Sequence, residues 1–507
     1  MVRSSGSADG PAARHTLASL GLISDTASAS VGTHASIKGL ALASHAVQDG
    51  YLFAALPGTV THGARYAVDA SERGAVAVLT DSDGESLIRS ASTPVTIPII
   101  TVADPRSTLA ALAARWYGQA PGTLVAVTGT NGKTSVVDMC RQIWEHQGCE
   151  AATLGTTGIT GRCSAGTGLT TPDPLTLHRH LHAMSRAGVT HLAMEASSHG
   201  LDQARLDGLR FDAAAFTNLS HDHLDYHGTV EAYRAAKQIL FTRLLSDDGT
   251  AVLWMDDPHS QSMLKAVRSR NDRIIKVGCE VGDLRIISIR PTYTGQDIRF
   301  AWRGAPYECR LDLLGGFQIH NLLVAVAMTI ATGLEPESAF SSLESIRAVP
   351  GRMDCVAQRA NRSTLIVDFA HTPAALKSVL KELRRHFRGD LHLVFGAGGD
   401  RDKEKRVLMG RVAARHADHV TVTDDNPRHE RSSDIRAAIL AGCPEADEIP
   451  DRAEAILCSA ARLGPGDVLL IAGKGHETGQ IIGDTVIPFD DREQASMAAR
   501  LLDGKAV

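Results

Sequence analysis

The stretch "VAVTGTNGKTSVV", Val125 to Val137, decides the fold class of this chain. It contains the Gly-Lys-Thr of a phosphate-binding loop, but Val127 stands where the usual G-x-x-x-x-G-K-[ST] pattern has its first glycine. Leu124–Val127 predicts a buried strand, and the apolar residues after Ser135 recur at a helical spacing. A strand, a glycine turn, Lys-Thr and a helix in this order predict an α/β nucleotide-binding domain. A simple glycine turn is the alternative, and the flanking strand and helix argue against it.

The same stretch predicts how phosphates are bound. Backbone N–H groups from Gly129 to Lys133, together with the positive end of the helix, would cradle them. Lys133 would reach the outer phosphates, and the Thr134 hydroxyl would bind Mg2+.

Length and composition set the class of protein. The 507 residues suffice for about three domains. The 52 basic and 57 acidic residues are nearly balanced, so no nucleic-acid partner is expected. The most apolar helical candidate, Leu322 to Ile330, is too short to cross a bilayer, so we expect a cytoplasmic protein without membrane insertion. The eight scattered cysteines predict buried thiols, and residues 1–14 predict a frayed leader.

Short β-branched runs alternate with helical patterns along the chain, which predicts parallel α/β sheets. The predicted strands are Val76–Leu79, Leu124–Val127, His191–Met194, Ala251–Trp254, Thr364–Val367, Leu391–Phe395, His419–Val422 and Val468–Ile471. Two seams, "GQAPGT" (Gly118–Thr123) and "AVPGRMD" (Ala348–Asp354), divide the chain into domains at 1–120, 121–349 and 350–507.

Two further segments carry polar residues suited to a nucleotide site. In "AMEASSHGLDQAR" (Ala193–Arg205), Glu195 follows an apolar strand, so its carboxylate would lie beside the phosphates and could hold Mg2+. "FTNLSHDHLDYHG" (Phe216–Gly228) precedes a helix that carries Lys237. A histidine is usually structural and a helical lysine usually solvated, so these signals count only together with the loop.

Ten motifs then occur in the order found in the Mur ligase family. They are TGTNGKT, MEASSHGLDQAR, FTNLSHDHLDYHG, AAK, HNLL, GRMD, VDFAHTP, GAGGDRDKEKR, TDDNPR and AGKGHE. The chain resembles this family from about residue 35 to residue 500, and within it the members that add meso-2,6-diaminopimelate. The resemblance also accounts for the loop, because GTNGKT is the family's own phosphate-binding sequence.

The resemblance implies a three-domain α/β fold. Residues 1–120 would form an N-terminal uridine-nucleotide-binding domain, 121–349 a central P-loop ATPase domain with a parallel sheet, and 350–507 a C-terminal Rossmann-like domain. The implied activity is ATP-dependent peptide-bond formation in peptidoglycan precursor synthesis. The D-glutamate side-chain carboxylate of UDP-MurNAc-L-Ala-D-Glu would take the γ-phosphate of ATP, and an amine of meso-2,6-diaminopimelate would displace phosphate from the acyl phosphate. A monomer is expected.

The family motifs also assign residues to ATP and Mg2+. The implied ATP-binding residues are Gly129, Thr130, Asn131, Gly132, Lys133, Thr134, Ser135, Asn321, Arg352 and Asp368. The implied Mg2+ ligands are Thr134, Glu195, His223 and Lys237, with Lys237 as the carbamate N6-carboxylysine. The implied catalytic residues are Lys133, Glu195, His223, Lys237 and Arg352.

The muramoyl dipeptide would lie between the first and second parts. Its implied contacts are Thr170, Thr171, Ser198, Gln203, Arg205 and Lys237. The first part departs from the family at two places: Ala43-Ser44-His45 stands for the usual Asp-Ser-Arg, and His62-Gly63 for Asp-Gly. Ser44 is therefore the one predicted uridine contact.

The third part would select the amino acid. Diaminopimelate is lysine with a second carboxylate at its far end, so its pocket needs a cation that a lysine pocket would not. Arg401 and Arg428 would pair with the carboxylates, while Asp425 and Glu477 would take an ammonium. The resemblance adds hydrogen bonds from Asn426 and the backbone of Gly473.

Two alternatives remain open. A ligase of this type could use L-lysine or another carrier, as folylpolyglutamate synthase does, and the altered uridine segment would suit another carrier. A non-catalytic P-loop protein could bind nucleotide to regulate a partner, although the full set of metal and γ-phosphate residues argues against this.

Overall fold

The computed structural model describes residues 15–22, 36–58, 60–220, 222–269 and 273–505. It divides into two compact units. The first takes the described residues up to Lys133, then Gly148–Leu253 and Asp257–Ile274. The second takes Thr134–Gln147, Trp254–Asp256 and the described residues from Ile275 onward. The predicted leader, 1–14, lies outside the described residues, and the domain boundaries at 1–120, 121–349 and 350–507 stay a prediction.

In chain order, the strands of the described residues are β1 (Gly39–Ala41), β2 (Tyr51–Ala54), β3 (Ala75–Thr80), β4 (Ile99–Thr101), β5 (Thr123–Thr128), β6 (Ala151–Gly155), β7 (Gly158–Gly161), β8 (His191–Glu195), β9 (Phe211–Phe216), β10 (Leu245–Trp254), β11 (Ile274–Gly278), β12 (Leu284–Pro291), β13 (Gln296–Trp302), β14 (Ala305–Leu311), β15 (Asp354–Gln358), β16 (Thr364–Asp368), β17 (Leu391–Phe395), β18 (His419–Val422), β19 (Asp447–Glu448), β20 (Val468–Ala472), β21 (Gly479–Ile482) and β22 (Thr485–Pro488).

The α-helices follow in the same way: α1 (Ala67–Glu72), α2 (Ser82–Arg89), α3 (Pro105–Tyr117), α4 (Lys133–His146), α5 (Pro174–Arg186), α6 (Ser198–Asp202), α7 (Leu224–His227), α8 (Val230–Ile239), α9 (Ser260–Arg268), α10 (Gly316–Ala331), α11 (Pro336–Ser341), α12 (Pro373–His386), α13 (Glu404–His416), α14 (Ser432–Leu440), α15 (Arg452–Ala461) and α16 (Asp491–Leu502). Short 3-10 helices cover Ser44–Ala46, Gly63–Tyr66 and Leu343–Ser345, and a π-helical turn, Leu240–Leu244, follows α8.

The N-terminal sheet of the first unit is parallel, in the order β1-β2-β3-β4. Successive side chains on β2 and β3 point to opposite faces of the sheet, so they pack in two different apolar clusters. Leu52 and Leu79 pack with residues of α3, whereas Phe53 and Val78 pack with residues of α1 and α2.

The phosphate-loop strand β5 lies in a second sheet, whose first-unit strands are ordered β10-β9-β5-β8-β6-β7. All of these strands are parallel except β7, which pairs antiparallel with β6. Val127 pairs with Glu195 on one side and Ala215 on the other. The carboxyl ends of β8 and β9 therefore flank the phosphate loop.

The second unit contains a six-stranded sheet in the order β15-β16-β20-β17-β18-β19. Only β15, at the edge, runs antiparallel to its neighbour. Apolar clusters cover both faces: α12 and α13 pack on one, α15 and α16 on the other. Every predicted strand is observed, and the predicted α/β class with parallel sheets is confirmed.

The second unit also contains an antiparallel meander that the sequence pattern does not predict. Strands β12, β13 and β14 pair in succession within the second unit, and β12 also pairs parallel with β11. The outer strands carry many exposed residues, so their hydrophobic pattern is weak. Helix α10, which contains the predicted Leu322–Ile330, has 16 residues, and no helix in the described part of the chain is long and apolar enough to span a membrane.

The prediction of buried cysteines is wrong for most of them. All eight are free thiols, but only Cys140 and Cys443 are buried, while Cys279 and Cys355 are exposed. Cys279 follows the end of β11, and Cys355 lies on edge strand β15. The other four are intermediate in exposure.

Candidate active site

The phosphate loop begins at Gly129, immediately after β5. Gly129 has a φ of 154° and Gly132 a φ of 89°, conformations that disfavour other residues. A side chain at Gly129 would also collide with the Thr217 hydroxyl. Val127 is fully buried within β5, so the position where the common motif has glycine belongs to the strand in this chain.

The loop is fixed by the segment that follows β9. The Asn131 N–H donates to Asn218 Oδ1 at 2.9 Å, and Asn218 Nδ2 donates back to the Asn131 carbonyl at 3.1 Å. The Thr217 hydroxyl donates to the same carbonyl at 2.7 Å. Sequence reasoning did not identify Asn218, although its position directly after a strand beside β5 was a usable signal.

Two predicted catalytic lysines converge on one carbonyl of this loop. Lys133 Nζ donates to the Gly129 and Thr130 carbonyls at 2.8 and 2.9 Å. Lys237 Nζ, which is 1% exposed on α8, donates to the Gly129 carbonyl at 2.9 Å. Burial, and then the charge of Lys133, holds the pKa of Lys237 well below its usual range.

Glu195 ends β8 and is 1% exposed. Its carboxylate accepts hydrogen bonds from the Thr156 N–H at 2.8 Å and the Thr156 hydroxyl at 3.1 Å. A side chain at Gly155 would collide with the same carboxylate. Thr156, which sequence reasoning missed, therefore sets the orientation of the predicted metal ligand.

His223 adopts a left-handed backbone conformation, with φ 52°, immediately before α7. A non-glycine residue in this region is uncommon and is often found at functional sites. Its ring lies 4.9 Å from that of His199 and 6.1 Å from that of Tyr233. Burial, followed by the neighbouring His223, lowers the pKa of His199.

The structure joins three of the predicted dipeptide residues in one network. Arg205 Nη1 donates to the Thr171 carbonyl at 2.6 Å, and Arg205 Nε and Nη2 donate to Gln203 Oε1 at 3.2 and 2.7 Å. The Thr171 hydroxyl donates to the Glu195 carbonyl at 2.9 Å. The network therefore begins at the main chain of a predicted metal ligand.

The other dipeptide candidates lie beside this network. The Thr170 hydroxyl is 3.1 Å from that of Thr156, which holds Glu195. Ser198 begins α6 and is 2% exposed. Thr170 also lines a surface pocket with the neighbouring loop residues Thr156, Thr157, Gly158, Gly166, Thr167, Gly168 and Leu169.

Ser44 begins the short 3-10 helix between β1 and β2. Its interaction with Asp69, followed by that of Arg73, lowers the pKa of Asp69. Nearby, His62 takes a structural role: its Nδ1 accepts from the Ala64 N–H at 3.0 Å. Like an aspartate, His62 thereby caps the following 3-10 helix, so this departure from the family motif preserves the turn.

In the second unit, Gln318 links two predicted ATP residues. Asn321 Nδ2 donates to Gln318 Oε1 at 3.0 Å, and Gln318 Nε2 donates to the Arg352 carbonyl at 3.1 Å. The Arg352 guanidinium lies 4.3 Å from the centre of the Phe369 ring.

Asp368, at the end of β16, is another predicted ATP residue. It accepts from the Met353 and Ala370 N–H groups, each at 2.8 Å. Burial raises the pKa of Asp368, against the lowering effect of Arg352. The parts of Asn321, Arg352 and Asp368 in ATP binding stay predictions.

The predicted amino-acid residues lie on loops that leave adjacent strands β20, β17 and β18 at their carboxyl ends. Asn426 Nδ2 donates to Glu477 Oε2 at 2.8 Å. A side chain at Gly473, where φ is 118°, would come within 2.6 Å of Asp425 Oδ2. Burial, and then the charge of Asp425, raises the pKa of Glu477.

The buried Lys474 holds these groups together, and sequence reasoning missed it. Its Nζ donates to Asn426 Oδ1 at 3.2 Å and to the Gly479 carbonyl at 2.5 Å, and it lies 3.5 Å from Glu477 Oε2. Since Lys474 and the Ile481 N–H both donate to Asn426 Oδ1, the amide must present Nδ2 to Glu477.

Both predicted arginines flank one glycine loop of this edge. Arg428 Nη1 donates to the Gly399 carbonyl at 2.8 Å, and Arg401 follows two residues later. Arg428 has a φ of 52°, and its N–H donates to the Ile481 carbonyl at 3.0 Å. The hairpin β21–β22 thus fixes the backbone of Arg428.

Models of known protein families match most of this chain. The Mur ligase family catalytic domain matches residues 36–117, the Mur ligase middle domain residues 127–329, and the Mur ligase glutamate ligase domain residues 351–475. A protein of Chelativorans sp. (strain BNC1), named UDP-N-acetylmuramoyl-L-alanyl-D-glutamate–2,6-diaminopimelate ligase, is 45% identical over 475 residues, which are 93% of this chain and 97% of that protein. The chain belongs to the Mur ligase family.

Two further relatives agree with this membership. A Mur ligase of the same name from Bradyrhizobium diazoefficiens is 47% identical over 474 residues, covering 92% of this chain and 96% of that protein. A solved structure of a UDP-N-acetylmuramoyl-L-alanyl-D-glutamate–2,6-diaminopimelate ligase superposes with a TM-score of 0.71 at 31% identity, covering 96% of this chain and 99% of that one. The predicted Mur ligase architecture is confirmed.

The donor set of this Mur ligase fits Mg2+ carried by a nucleotide better than a metal cage made by protein alone. No group of three or more His, Cys, Asp or Glu side chains among the described residues is arranged to hold a metal ion. Glu195 offers one oriented carboxylate, and Mg2+ bound through phosphates and one or two carboxylates is the common arrangement in such enzymes.

Proposed function

We propose that this Mur ligase joins meso-2,6-diaminopimelate to the D-glutamate side-chain carboxylate of UDP-MurNAc-L-Ala-D-Glu, converting ATP to ADP and phosphate. The reaction is a step of peptidoglycan precursor synthesis. We place it in the cytoplasm and assign it to a monomer.

The charge layout of the second unit carries this choice of amino acid. Arg401 and Arg428 supply cations beside the glycine loop that follows β17, while Asp425 and Glu477 supply carboxylates from the loops that follow β18 and β20. A zwitterion with an extra distal carboxylate matches this set, because each of its charges meets an opposite one. L-lysine would leave at least one guanidinium without an anionic partner.

The first unit supports the phosphoryl-transfer half of the reaction. The Thr130 and Asn131 N–H groups donate to Asn218, so phosphate oxygens are bound by other N–H groups of the Gly129–Lys133 loop. The Lys133 ammonium offsets the phosphate charge as the anionic carboxylate approaches. Fixing of the loop by Asn218 keeps these donors in place before ATP arrives. The carboxylate oxygen bonds to the γ-phosphorus as the bond to the β–γ bridging oxygen breaks, and the amine then displaces phosphate from the acyl carbon.

Thr134, Glu195, His223 and Lys237 are proposed to hold Mg2+, with Lys237 as a carbamate. Bound Mg2+ would neutralise charge on the transferring phosphoryl group. The lowered pKa of Lys237 favours carbamylation, because the neutral amine bonds to the carbon of CO2 and releases a proton. The carbamate then presents anionic oxygens where an ammonium would repel the ion.

Phosphate release tests the proposed function. The purified protein is given ATP, Mg2+ and UDP-MurNAc-L-Ala-D-Glu with a panel of amino acids that includes meso-2,6-diaminopimelate, L-lysine and L-glutamate. We expect release only with all substrates present and the highest kcat/KM with diaminopimelate. Preference for lysine would overturn the amino-acid assignment, activity only with another acceptor would overturn the carrier, and no release with any combination would favour the non-catalytic alternative.

A further inference from the structure

Tyr226, on the short helix α7, belongs to a chain of hydrogen bonds that begins at Arg205. Arg205 donates to Gln203 Oε1, Gln203 Nε2 donates to the Tyr226 oxygen at 3.1 Å, and the Tyr226 hydroxyl donates to Asp202 Oδ2 at 2.8 Å. The chain thus runs from Arg205 through Gln203 to Tyr226 on α7 and ends at Asp202, the last residue of α6.

The chemistry of the two ends gives this chain a single direction. A guanidinium only donates, so the amide oxygen of Gln203 must face Arg205 and its NH2 group must face Tyr226. A carboxylate only accepts, so the Tyr226 proton must point to Asp202, which leaves an oxygen lone pair for Gln203. Tyr226 is the one member that both accepts from the amide and donates to the anion.

The direction of this hydrogen-bond chain matters because it determines which N–H groups of the Arg205 guanidinium are already used. One of its terminal nitrogens donates to the Thr171 carbonyl, and its Nε and other terminal nitrogen donate to Gln203. These contacts use three of the five guanidinium N–H groups. One N–H on each terminal nitrogen remains outside these three contacts and can donate to a substrate carboxylate.

We propose that Tyr226 is a positioning residue for the sugar-dipeptide substrate, acting through the Gln203 amide to hold the Arg205 guanidinium at the angle that receives a substrate carboxylate. This inference rests on the proposed function, which assigns the dipeptide to Gln203 and Arg205. Tyr226 does not touch the reacting atoms, so it acts on substrate binding.

The Tyr226 ring has a separate packing role. Its centre lies 4.1 Å from the His199 ring and 4.8 Å from the His227 ring. Phenylalanine retains these ring contacts and removes only the hydroxyl. Tyr226→Phe therefore isolates the hydrogen-bond chain from the packing of the cluster.

The test is steady-state kinetics of Tyr226→Phe with each substrate varied in turn. We expect the KM for UDP-MurNAc-L-Ala-D-Glu to rise about tenfold, with kcat and the KM values for ATP and diaminopimelate within about twofold of the parent, since the part-buried Gln203 amide loses one hydrogen-bond partner. Asp202→Asn should give a smaller rise, because the amide oxygen of asparagine can still accept the Tyr226 proton and the direction of the chain is kept. Tyr307→Phe is the matched control, since its hydroxyl likewise lies against an exposed carboxylate, Glu337, at 3.4 Å.

An unchanged KM for the sugar nucleotide, or an equal change for all three substrates, would overturn the role of Tyr226. Thermal melting of each variant identifies a general loss of structure. Failure of the proposed function shows separately, as absence of phosphate release by the parent protein. Calorimetric titration then compares the affinity of the parent and of Tyr226→Phe for the sugar nucleotide. Weaker binding by Tyr226→Phe than by the parent supports the inference. Equal affinities, or no binding to either protein, overturn it.

Discussion

At the scale of single residues, the site contains ionisable side chains whose pKa values are shifted by burial away from water. Lys237 and Glu477 show opposite effects of the same burial. Because burial disfavours whichever form is charged, it lowers the pKa of the lysine and raises that of the glutamate. Each shift has a consequence that can be measured.

Lys237→Ala should lose most activity and regain part of it with added short carboxylic acids. The reason is that the proposed carbamate supplies an anionic oxygen that alanine lacks and a small acid can replace. Phosphate release with and without acetate measures this. Lys133→Ala is the control, and it should be inactive and not rescued, since its role is cationic. Full activity of Lys237→Ala would remove Lys237 from the mechanism.

The KM for diaminopimelate should rise as the pH falls. Glu477 holds an ammonium only as a carboxylate, and its raised pKa means that it takes up a proton at a higher pH than an ordinary glutamate. Apparent KM values across the acid range measure the effect. Glu477→Gln should have a high KM that depends less on pH, and a parent KM that is flat across this range would contradict the assignment.

Arg428→Ala should raise the KM for diaminopimelate by roughly two orders of magnitude. Loss of a partly buried charge pair costs on the order of 2 to 5 kcal/mol, and each ~1.4 kcal/mol is tenfold. Any weak use of L-lysine should change little, because lysine lacks the distal carboxylate. Equal damage with both amino acids would show that Arg428 supports the pocket without selecting the substrate.

At the scale of elements, buried polar contacts fix how helices meet the sheet. Arg452 begins α15 and Asp491 begins α16, and both side chains are 0% exposed. Two bonds of 2.7 Å join them, and Arg452 also donates to the Ala472 carbonyl at the end of β20. This pair ties two helices to the strand that leads into the amino-acid loops.

Asp491→Ala should destabilise this region by about 3 to 5 kcal/mol, because it leaves a buried guanidinium without its anion. Hydrogen exchange of β20 amides measures the loss locally. Asp447→Ala is the control, since its pair with Arg462 is about half exposed and should contribute little. In Arg452→Met/Asp491→Ala the loss should be smaller than in Asp491→Ala alone. Equal losses would mean that the unpaired charge is not the cause.

At the scale of the whole molecule, all eight cysteines are free. We expect the denatured protein to titrate eight thiols without added reductant, and the activity of fresh protein to be the same with or without reductant. Ellman titration and phosphate release measure these. Fewer than eight thiols in freshly purified denatured protein would indicate a disulfide absent from this structure.

The sequence by itself determined the phosphate loop, the strands and the loops that carry the charged residues. Gly129 and Gly132 adopt backbone conformations that few other residues adopt, and Glu195 ends a strand. The local sequence pattern was therefore enough to place the phosphate loop and Glu195 at the carboxyl ends of strands. Such features are readable because they depend on neighbours a few residues away. The roles assigned to them, from the residue pattern and from the resemblance, stay predictions.

Only the tertiary structure decided which side chains hold those residues in place. Asn218 fixes Asn131, Thr156 orients Glu195, and Lys474 sets the amide of a residue 48 positions earlier. Strand pairing brings these partners together across long separations in sequence, and the hydrophobic pattern of a single strand does not specify which strands lie beside it. The local sequence pattern therefore identifies the predicted site residues. The residues that orient them can be identified only from the structure, in which strands distant in the sequence lie side by side.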